Sequence, residues 1–506
     1  MRNYVPAGWE VAKLGELGLY HNGRAFKKSE WRTEGRPIIR IQNLTGSGKT
    51  WNHFQGDVDP RNEANPGDLL VSWAATLGAY IWDGPQAVVN QHIFKVETHI
   101  DKRFHFYAIR RAIDELYRNA HGIGMVHVTR KVFDETEVPL PPEREQHRIV
   151  EAIESYLTRL DDAVASLERV QRNLERYRAS VLKAAVEGRL VPTEAELARQ
   201  EGGEYEPASK LLERILAERK ARWIEDAAEK ARAKAEAKAL KAGKPWTPED
   251  SAKALDKAHK AAEAKYKEPA PPDTTDLPAL PEGWCWATVE QLVDVGTGAT
   301  PKKGEPRYWE GGSIAWVGSA VVNRQYVAEA TAMVTEAALR ETNLTVYPPG
   351  TLLVAMYGEG KTRGKCAELL IESTTNQALA ALVSDGYGDG LRRFIKLFME
   401  HNYTAIRRTA SGGVQPNLNL GIVRSISIPL PPLAEQVRLC DETERLLSVR
   451  SELDEAMVVN RQRGMRLRQS ILKWAFEGKL VEQDPNDEPA SALLDRILSD
   501  REGMER

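Results

Sequence analysis

Two short strings of the sequence contain the residues of a phosphate-binding loop. Residues 46–50 (GSGKT) and 358–362 (GEGKT) end in Gly-Lys-Thr, a combination whose backbone N–H groups and lysine hold nucleotide phosphates. The required first glycine is missing, because Asn43 and Ala355 occupy its place, and no helix signal follows either string. A nucleotide-binding enzyme is therefore an alternative function and not the favoured one.

Basic and amide side chains in loops favour a different chemistry, which is DNA binding. Arg and Lys bind phosphates, while Arg, Asn, Gln and Lys also read base edges in the major groove. Such loops cover residues 24–31, 40–53 and 121–130 in the first half, and 300–309, 358–365 and 411–419 in the second. The candidate DNA-binding residues of the first half are Arg24, Lys27, Lys28, Arg40, Gln42, Asn43, Lys49, Asn52, His53, His127 and Arg130. Those of the second half are Thr300, Lys302, Lys303, Arg307, Tyr308, Tyr357, Lys361, Arg363, Lys365, Gln415, Asn417 and Asn419. Ordinary solvated surface loops are the alternative for each single position.

The residues give little support for chemistry carried out by this chain itself. Methyl transfer would need a Gly-rich cofactor turn and an Asn/Asp-Pro-Pro-aromatic string, and the Pro-Pro pairs occur only in helix-entry or linker contexts. The ten histidines lack metal-ligand spacing, and Cys285, Cys366 and Cys440 lie too far apart for a CxxC site. We predict free thiols, no catalytic residue, no metal and no cofactor bound by this chain.

Length and composition limit the number of domains and the classes of protein that are possible. With 506 residues the chain is too long for one compact core, so two or more domains are expected. A net charge of −3 excludes an extreme polybasic binder but still allows a basic groove on a neutral protein. No long apolar run or signal-peptide core occurs, so we expect a cytoplasmic protein that does not enter a membrane.

The sequence contains an internal repeat, in which six matched segments occur in the same order in both halves. The segments of the first copy are PAGW from Pro6, PGDLLVSW from Pro66, Asn90-Gln91, VPLPPEREQHRI from Val138, VLKAAVEGRLV from Val181 and EPASKLLERIL from Glu206. Their counterparts are PEGW from Pro281, PGTLLVAM from Pro349, Asn376-Gln377, IPLPPLAEQVRL from Ile428, ILKWAFEGKLV from Ile471 and EPASALLDRIL from Glu488. The offset drifts from 275 residues at the first segment to 290 at the fourth and fifth, so insertions have accumulated in the globular parts.

Each copy continues from its Leu-Pro-Pro into a long helix with heptad spacing. We predict that the seam residues are Ile149, Ile153, Leu160, Leu167, Leu174 and Val181, and Leu439, Leu446, Leu453, Met457, Leu467 and Ile471. A duplicated unit that folds on itself would pair these helices antiparallel and hold two globular heads at opposite ends. Residues 149–181 span roughly 50 Å at ~1.5 Å per residue, which is on the order of one and a half turns of duplex DNA.

The globular parts, residues 1–140 and 281–430, carry short apolar runs cut by Gly, Pro and Asn, which predicts mixed α+β domains. Residues 208–268 form a Lys/Ala/Glu-rich stretch that is interrupted near Gly243 and restarted by the capping sequence TPED from Thr247. We expect two exposed helices there, serving as a partner arm or spacer, with a merely solvated insert as the alternative. A Pro-rich connector follows over residues 269–280.

These features resemble the specificity subunit of type I restriction-modification enzymes, and the resemblance covers nearly the whole chain. It depends on GTGATPKKGEPRYWEGGSIAWV from Gly296, LLVAMYG from Leu352, Leu-Pro-Pro followed by Glu-Gln, and the EGRLV and EGKLV strings, in this order and doubled. The chain departs from the family in its Lys/Ala-rich insert. It also departs in its first globular part, where HNGRAFKKSEW from His21 replaces the Gly-Thr-Pro loop.

The resemblance implies two mixed α/β target-recognition domains, each reading one half of a bipartite DNA site, separated by two long antiparallel coiled-coil helices with pseudo-twofold duplication. The helices would set the spacer and dock two modification (methyltransferase) subunits. Restriction/translocase subunits would complete the complex, with S-adenosylmethionine and ATP/Mg bound by the partners. The expected boundaries are 1–140 (target-recognition domain 1), 141–192 (long helix), 193–268 (short helix and insert), 269–280 (linker), 281–430 (target-recognition domain 2) and 431–506 (second long helix and C-terminal helix). A coiled-coil scaffold is the remaining alternative.

Overall fold

The computed structural model describes residues 5–48, 50–74, 76–119, 130–357, 362–384, 386, 388–409 and 418–504. The chain divides into two units, Met1–Val170 with Glu455–Arg506 (unit 1) and Gln171–Asp454 (unit 2). Each unit therefore takes its globular part from one copy of the repeat and its helical segments from both copies. No helix in the described part of the chain is both long enough and apolar enough to cross a bilayer.

The first copy contains ten strands and three α-helices before its long helix, within the residues described. The strands are β1 (Glu10–Lys13), β2 (Gly18–Asn22), β3 (Arg36–Ile39), β4 (His53–Phe54), β5 (Glu63–Ala64), β6 (Leu69–Ser72), β7 (Gly78–Ile81), β8 (Ala87–Val89), β9 (Ile93–Thr98) and β10 (Glu137–Leu140). The helices are α1 (Ile41–Leu44), α2 (Lys102–Asn119) and α3 (Arg130–Asp134). The long helix α4 (Glu143–Val186) precedes α5 (Glu194–Glu201), α6 (Ala208–Lys241) and α7 (Pro248–Glu263).

The second copy repeats the order of the strands and adds two short helices, α8 and α9, where the first copy has no α-helix. Its strands are β11 (Cys285–Thr288), β12 (Asp294–Thr297), β13 (Ile314–Val317), β14 (Tyr326–Val327), β15 (Ala332–Val334), β16 (Leu352–Ala355), β17 (Cys366–Leu369), β18 (Thr374–Thr375), β19 (Leu379–Val383) and β20 (Ser427–Leu430). Its helices are α8 (Val289–Leu292), α9 (Glu336–Glu341), α10 (Gly388–Thr409), α11 (Leu420–Arg424), α12 (Leu433–Phe476) and α13 (Ala490–Met504).

Both globular parts are mixed α/β, and their larger sheets share the order of four strands, to which unit 2 adds β14 at the edge. The larger sheet has the strand order β2-β9-β6-β7 in unit 1 and β12-β19-β16-β17-β14 in unit 2. A smaller sheet contains one parallel pair in each copy, β3 with β8 and β13 with β18. The two-stranded ribbons β1–β10 and β11–β20 also have the same register. Glu10 is paired with Leu140 in the first, and the equivalent Cys285 is paired with Leu430 in the second. The internal duplication read from the sequence is therefore present in the fold.

The central strand of each larger sheet is buried along its whole length and serves two cores. Alternate side chains of a strand point to opposite faces. In β6, Leu69 joins the core under α2, and Leu70 joins the core of the smaller sheet. In β16, Leu352 packs with α10 residues, and Leu353 packs on the opposite side. The matched LLVS and LLVA segments are therefore buried at all four positions because both of their faces are covered.

The repeated motifs build the same junction in each unit. In unit 1 the buried Trp9 donates from Nε1 to Glu145 (3.0 Å), and Ala490 N–H donates to the Gly8 carbonyl (2.9 Å). In unit 2 Trp284 donates to Glu435 (2.9 Å), and Ala208 N–H donates to the Gly283 carbonyl (2.8 Å). Burial raises the pKa of both glutamates above the ordinary value. Each junction thus joins the start of one copy to the EPAS segment of the other.

Two further contacts complete the junctions. Arg148 pairs with Asp487 at 2.6 Å, and the equivalent Arg438 pairs with Glu194. The glycine of each EG(R/K)LV string, with φ of +66°, packs against the proline that opens the other copy. At Gly188 an added Cβ would lie 2.6 Å from Pro281 Cγ. Glycine is needed there both for the left-handed backbone and for the close approach.

The long helices run antiparallel within each unit. In unit 1, Ile149 and Ile153 near the start of α4 share a core with Ile471 near the end of α12. In unit 2, Leu182 near the end of α4 shares a core with Leu439 near the start of α12. Val181 is buried as well, at 5 % exposure. Because opposite ends of the two helices meet in both units, the predicted antiparallel arrangement is confirmed.

The middle of the predicted seam is only partly buried, and the prediction is wrong at two of its positions. Leu160, Leu167, Leu174, Leu446 and Met457 have intermediate exposure. Leu453 and Leu467 are exposed, at 38 % and 47 %, so neither lies in a buried seam. The face of α12 that meets α4 in unit 1 contains Gly464, beside Leu160 and Val164.

The Lys/Ala-rich stretch forms the helical hairpin α6–α7. Thr247 caps α7, because its side chain accepts from Asp250 N–H and Asp250 in turn accepts from the Thr247 N–H. Ala228 and Ala262 are buried between the two helices. The hairpin belongs to unit 2.

Candidate nucleic-acid interface

The loop before the smaller sheet of unit 2 carries the best-formed group of predicted DNA-binding residues. The buried Trp316 of β13 donates from Nε1 to the Ala299 carbonyl (3.0 Å), and Trp309 donates to the Lys302 carbonyl (3.2 Å). The two indole rings meet edge to face, with centroids 5.5 Å apart. Both tryptophans therefore hold the loop backbone, while Lys302 and Lys303 remain exposed to solvent.

The same loop lies beside the repeated Asn-Gln turn. Thr300 Oγ1 donates to Gln377 Oε1 at 2.7 Å. Gln377 is exposed, and Asn376 holds the turn by accepting from Ala378 N–H at 3.1 Å. At Gly298 a Cβ would overlap the Thr375 carbonyl, so the close approach of loop and turn requires glycine. An exposed amide thus lies next to an exposed lysine pair.

Arg307 and Tyr308 are engaged within the protein. Arg307 pairs with Glu341 (3.1 Å) and Glu305 (3.3 Å), and its guanidinium lies 4.9 Å from the Tyr308 ring centroid. Tyr308 donates to Glu341 at 3.1 Å, and this hydrogen bond raises the pKa of the phenol. Neutralised by two carboxylates, Arg307 is a weaker phosphate ligand than the lysines of the same loop.

A second group surrounds the β16–β17 hairpin loop of unit 2. Tyr357 is 40 % exposed at its start, and Lys365 at its end donates to Asn323 Oδ1 (2.8 Å). Leu418 N–H donates to the Met356 carbonyl (3.1 Å), which brings the segment from residue 418 beside this loop. Arg363 lies at the same hairpin and is partly buried. Asn419 caps α11 by accepting from Ile422 N–H (2.9 Å), so its side chain is already engaged.

In unit 1 the predicted residues gather around the smaller sheet. Arg24 pairs with Glu30 at 2.5 Å and lies 4.9 Å from the Phe54 ring centroid. Arg40 lies 5.0 Å from the Trp31 ring centroid. The candidates on or beside this loop group that are exposed or partly buried are Lys27, Lys28, Gln42, Asn43, Asn52 and His53. Aromatic rings thus hold both arginines, while the lysine pair faces solvent.

Arg130 lies apart from this group. It pairs with Asp134 at 2.6 Å, donates to the Tyr20 carbonyl at 2.9 Å, and lies 4.8 Å from the Phe94 ring centroid. Tyr20 and Phe94 belong to the larger sheet. Five predicted positions lie outside the described residues, namely Lys49, His127, Lys361, Gln415 and Asn417.

The Asn-Gln turn was missing from the predicted site, although its repetition was visible in the sequence. In unit 1 Asn90 forms a bridge with Arg24, and its N–H donates to the Ile39 carbonyl (3.1 Å). The neighbouring Gln91 is exposed. The turn therefore lies beside the first loop in both units, which adds Gln91 and Gln377 to the candidates.

Neither phosphate-loop string leads into a helix in the part of the chain that the structure describes. The first is followed by β4 and the second by β17, whereas a phosphate-cradling loop must lead into a helix. The cysteines are free thiols, and burial raises the pKa of Cys366 and Cys440 to about 12. Such thiols stay protonated and unreactive at neutral pH.

Comparison with known proteins identifies the family. A family model described as the type I restriction modification DNA specificity domain matches residues 6–175 and, separately, residues 281–454. The chain belongs to this family. The two matches follow the two copies of the repeat, so the specificity domain occurs once in each half.

Curated relatives are specificity subunits of type I restriction enzymes. The EcoBI specificity subunit of Escherichia coli is 33% identical over 191 residues, which is 37% of this chain and 40% of that protein. The EcoDI specificity subunit of Escherichia coli is 20% identical over 508 residues, covering 98% of this chain and 96% of that protein. The EcoBI match thus spans less than half the length of that relative, and the EcoDI match spans nearly all of it.

Solved structures share the fold. A chain from a study of complex assembly and conformational transition of the type I R-M system aligns with a TM-score of 0.62 at 16% identity, covering 94% of this chain and 99% of that one. The HsdS subunit from Thermoanaerobacter tengcongensis aligns with a TM-score of 0.52 at 16% identity and the same coverage. The chain is thus a type I restriction-modification DNA specificity protein by family and by fold.

Proposed function

We propose that this chain recognises a bipartite DNA target, with one half-site for each globular part, and catalyses no reaction itself. The observation that carries the proposal is that one site is built twice with different side chains. In each unit a lysine-bearing loop lies beside an Asn-Gln turn on a small sheet with one parallel pair. A duplicated scaffold with divergent loops is what two different half-sites require.

Some of the exposed side chains suit contacts with phosphates, which add affinity, and others suit contacts with bases, which add specificity. The pairs Lys27-Lys28 and Lys302-Lys303 are solvated cations that suit phosphate contacts. The exposed Gln91 and Gln377 carry amides that can bond adenine, since the Oε1 of Gln377 can accept a second hydrogen bond besides the one from Thr300. Residues 121–130 and 411–419 also differ between the copies, since Gln415 occupies the position of Met125.

The long helices supply the spacer in this proposal. Helices α4 and α12 have 44 residues each. At about 1.5 Å per residue each is about 66 Å long, on the order of two turns of duplex DNA. Their partly exposed apolar residues, including Leu453 and Leu467, suit the docking of two modification subunits. S-adenosylmethionine would bind to those subunits, and ATP with Mg to the restriction/translocase subunits.

A map of methylated bases in the source genome tests this function. The map is compared between a strain with the gene intact, a deletion strain and a deletion strain carrying the gene on a plasmid. We expect one bipartite motif with a fixed spacer to lose methylation on deletion and to regain it on complementation. An unchanged map in cells that express the modification subunits would contradict the proposal and favour a scaffold.

A further inference from the structure

The α6–α7 hairpin, residues 208–263, is an arm fixed to unit 2 at its base. Arg219 of α6 pairs with Asp294 at 2.6 Å and also donates to the Glu290 carbonyl. Near the base Trp223 packs edge to face on Tyr266, with ring centroids 5.4 Å apart. The base is therefore held by specific contacts to the second globular part and by its own aromatic pair.

Basic side chains along α6 differ in how they are paired. Near the base, Lys210 pairs with Glu213 (2.8 Å) and Arg214 with Glu206 (3.0 Å). Further out, four exposed or partly exposed lysines form no ion pair with any residue that the structure describes. These are Lys230, Lys234, Lys238 and Lys241, the lysine face. Ion pairs of the arm thus leave a block of positive charge towards its tip.

The four lysines lie on one side of α6. Their steps of four, four and three residues keep them within about 80° of one another at 100° per residue. Arg232 lies about 200° from Lys230 and faces α7, since its Nη1 is 3.3 Å from Ser251 Oγ. The buried Ala228 faces α7 as well. The lysine face therefore points away from the partner helix, into solvent.

The dimensions of the lysine face suit a DNA backbone. Lys230 and Lys241 are about 16 Å apart along the axis at ~1.5 Å per residue, a distance over which a duplex carries roughly ten phosphates. Lys241 lies about 33 Å beyond Arg219 along α6, which is about one turn of duplex DNA. The lysine face contains lysine and alanine. Protein–protein interfaces are depleted of lysine and use aromatic or arginine anchors, so this composition favours DNA over a protein partner.

We propose that the lysine face binds the phosphate backbone of duplex DNA about one helical turn beyond the half-site contacted by the second globular part. The contact is independent of sequence and adds affinity on the flank of the target next to the second globular part. This inference rests on the proposed DNA-binding function. An acidic protein surface is the competing occupant, and the experiment separates the two.

The test measures how DNA affinity depends on salt. The full chain in complex with its modification subunits is titrated onto a labelled 60-bp duplex of random sequence between about 50 and 200 mM KCl. The variant carries Lys230→Gln, Lys234→Gln, Lys238→Gln and Lys241→Gln. The slope of log K against log salt should become less steep by about 3–4, because each lost phosphate contact removes about 0.9. Lys and Gln have similar helix propensity, so circular dichroism should stay unchanged.

A matched control removes the same charge from α7 and from the segment just after it. Lys253→Gln, Lys257→Gln, Lys260→Gln and Lys267→Gln should change the slope by less than about 1. Hydroxyl-radical footprints on a duplex carrying the mapped motif should lose protection on one flank in the lysine-face variant alone. Equal slope changes in both variants, or an unchanged slope, would overturn the inference. An unchanged slope together with weaker binding of the modification subunits would show that the lysine face binds a protein surface instead of DNA.

Failure of the proposed function would look different. In that case the wild-type complex would show no preference for a bipartite motif over the random duplex. Failure of the inference alone would leave that preference intact in the wild type and in both variants, with the same salt slope in all three.

Discussion

Replacing Gly188 by alanine should lower the free energy of unfolding of unit 2 by more than the left-handed backbone at this residue explains. Gly188 has a φ of +66°, and an added Cβ would lie 2.6 Å from Pro281 Cγ and 2.9 Å from Trp284 Cζ2. The left-handed backbone alone costs alanine about 1–2 kcal/mol. Overpacking against the proline and the indole adds about 1–3 kcal/mol, because both are held by the junction.

Gly202→Ala provides a matched control. Gly202 has a φ of +67°, and nothing lies within 4 Å of its Cβ position, so only the backbone cost applies. Thermal melts followed by tryptophan fluorescence should show Gly202→Ala lowering Tm by about 2–4 °C per kcal/mol, and Gly188→Ala lowering it by roughly twice as much or more. Equal shifts for the two variants would refute the idea that the EGRLV string packs against the second copy.

Three other outcomes are expected. Alanine at Gln415 or Asn417 should relax the second half-site by about 1–3 kcal/mol at one base position, whereas alanine at Lys302 and Lys303 should weaken binding on all sequences; binding to a panel of single-base variants separates the two effects. Insertion of one heptad into each long helix should lengthen the preferred spacer and leave both half-sites unchanged, and methylation mapping that returns the old spacing would contradict this. Burial lowers the pKa of His105 to about 3, so unfolding takes up a proton, and stability present above pH ~6.5 should fall by about 1 kcal/mol per pH unit towards pH 5. His105→Asn should lose that slope in urea titrations, and a slope equal to that of the wild type would be incompatible with a buried neutral imidazole.

The sequence was enough for the architecture, because the repeat and the heptads are periodic signals. It could not place individual contacts. Arg24 and Arg307 look like phosphate ligands in the sequence, but in the structure carboxylates from their own domain pair with them. Leu467 fits the heptad count, but in the structure its side chain is 47 % exposed. Such effects depend on contacts between distant segments, which no local pattern records.

The repeated strings are explained by the junction and not by the DNA site. Trp9 and Trp284, the two glutamates that accept from them, and the EG(R/K)LV glycines occur twice because the same junction is made once in each unit. Each junction needs the helix start of one copy and the helix end of the other, so an insertion within a helix would have to be matched in its partner. This requirement accounts for the constant offset of 290 residues from the Leu-Pro-Pro to the end of the helix. The globular parts carry no such constraint between copies, and their loops are free to diverge as two different half-sites would demand.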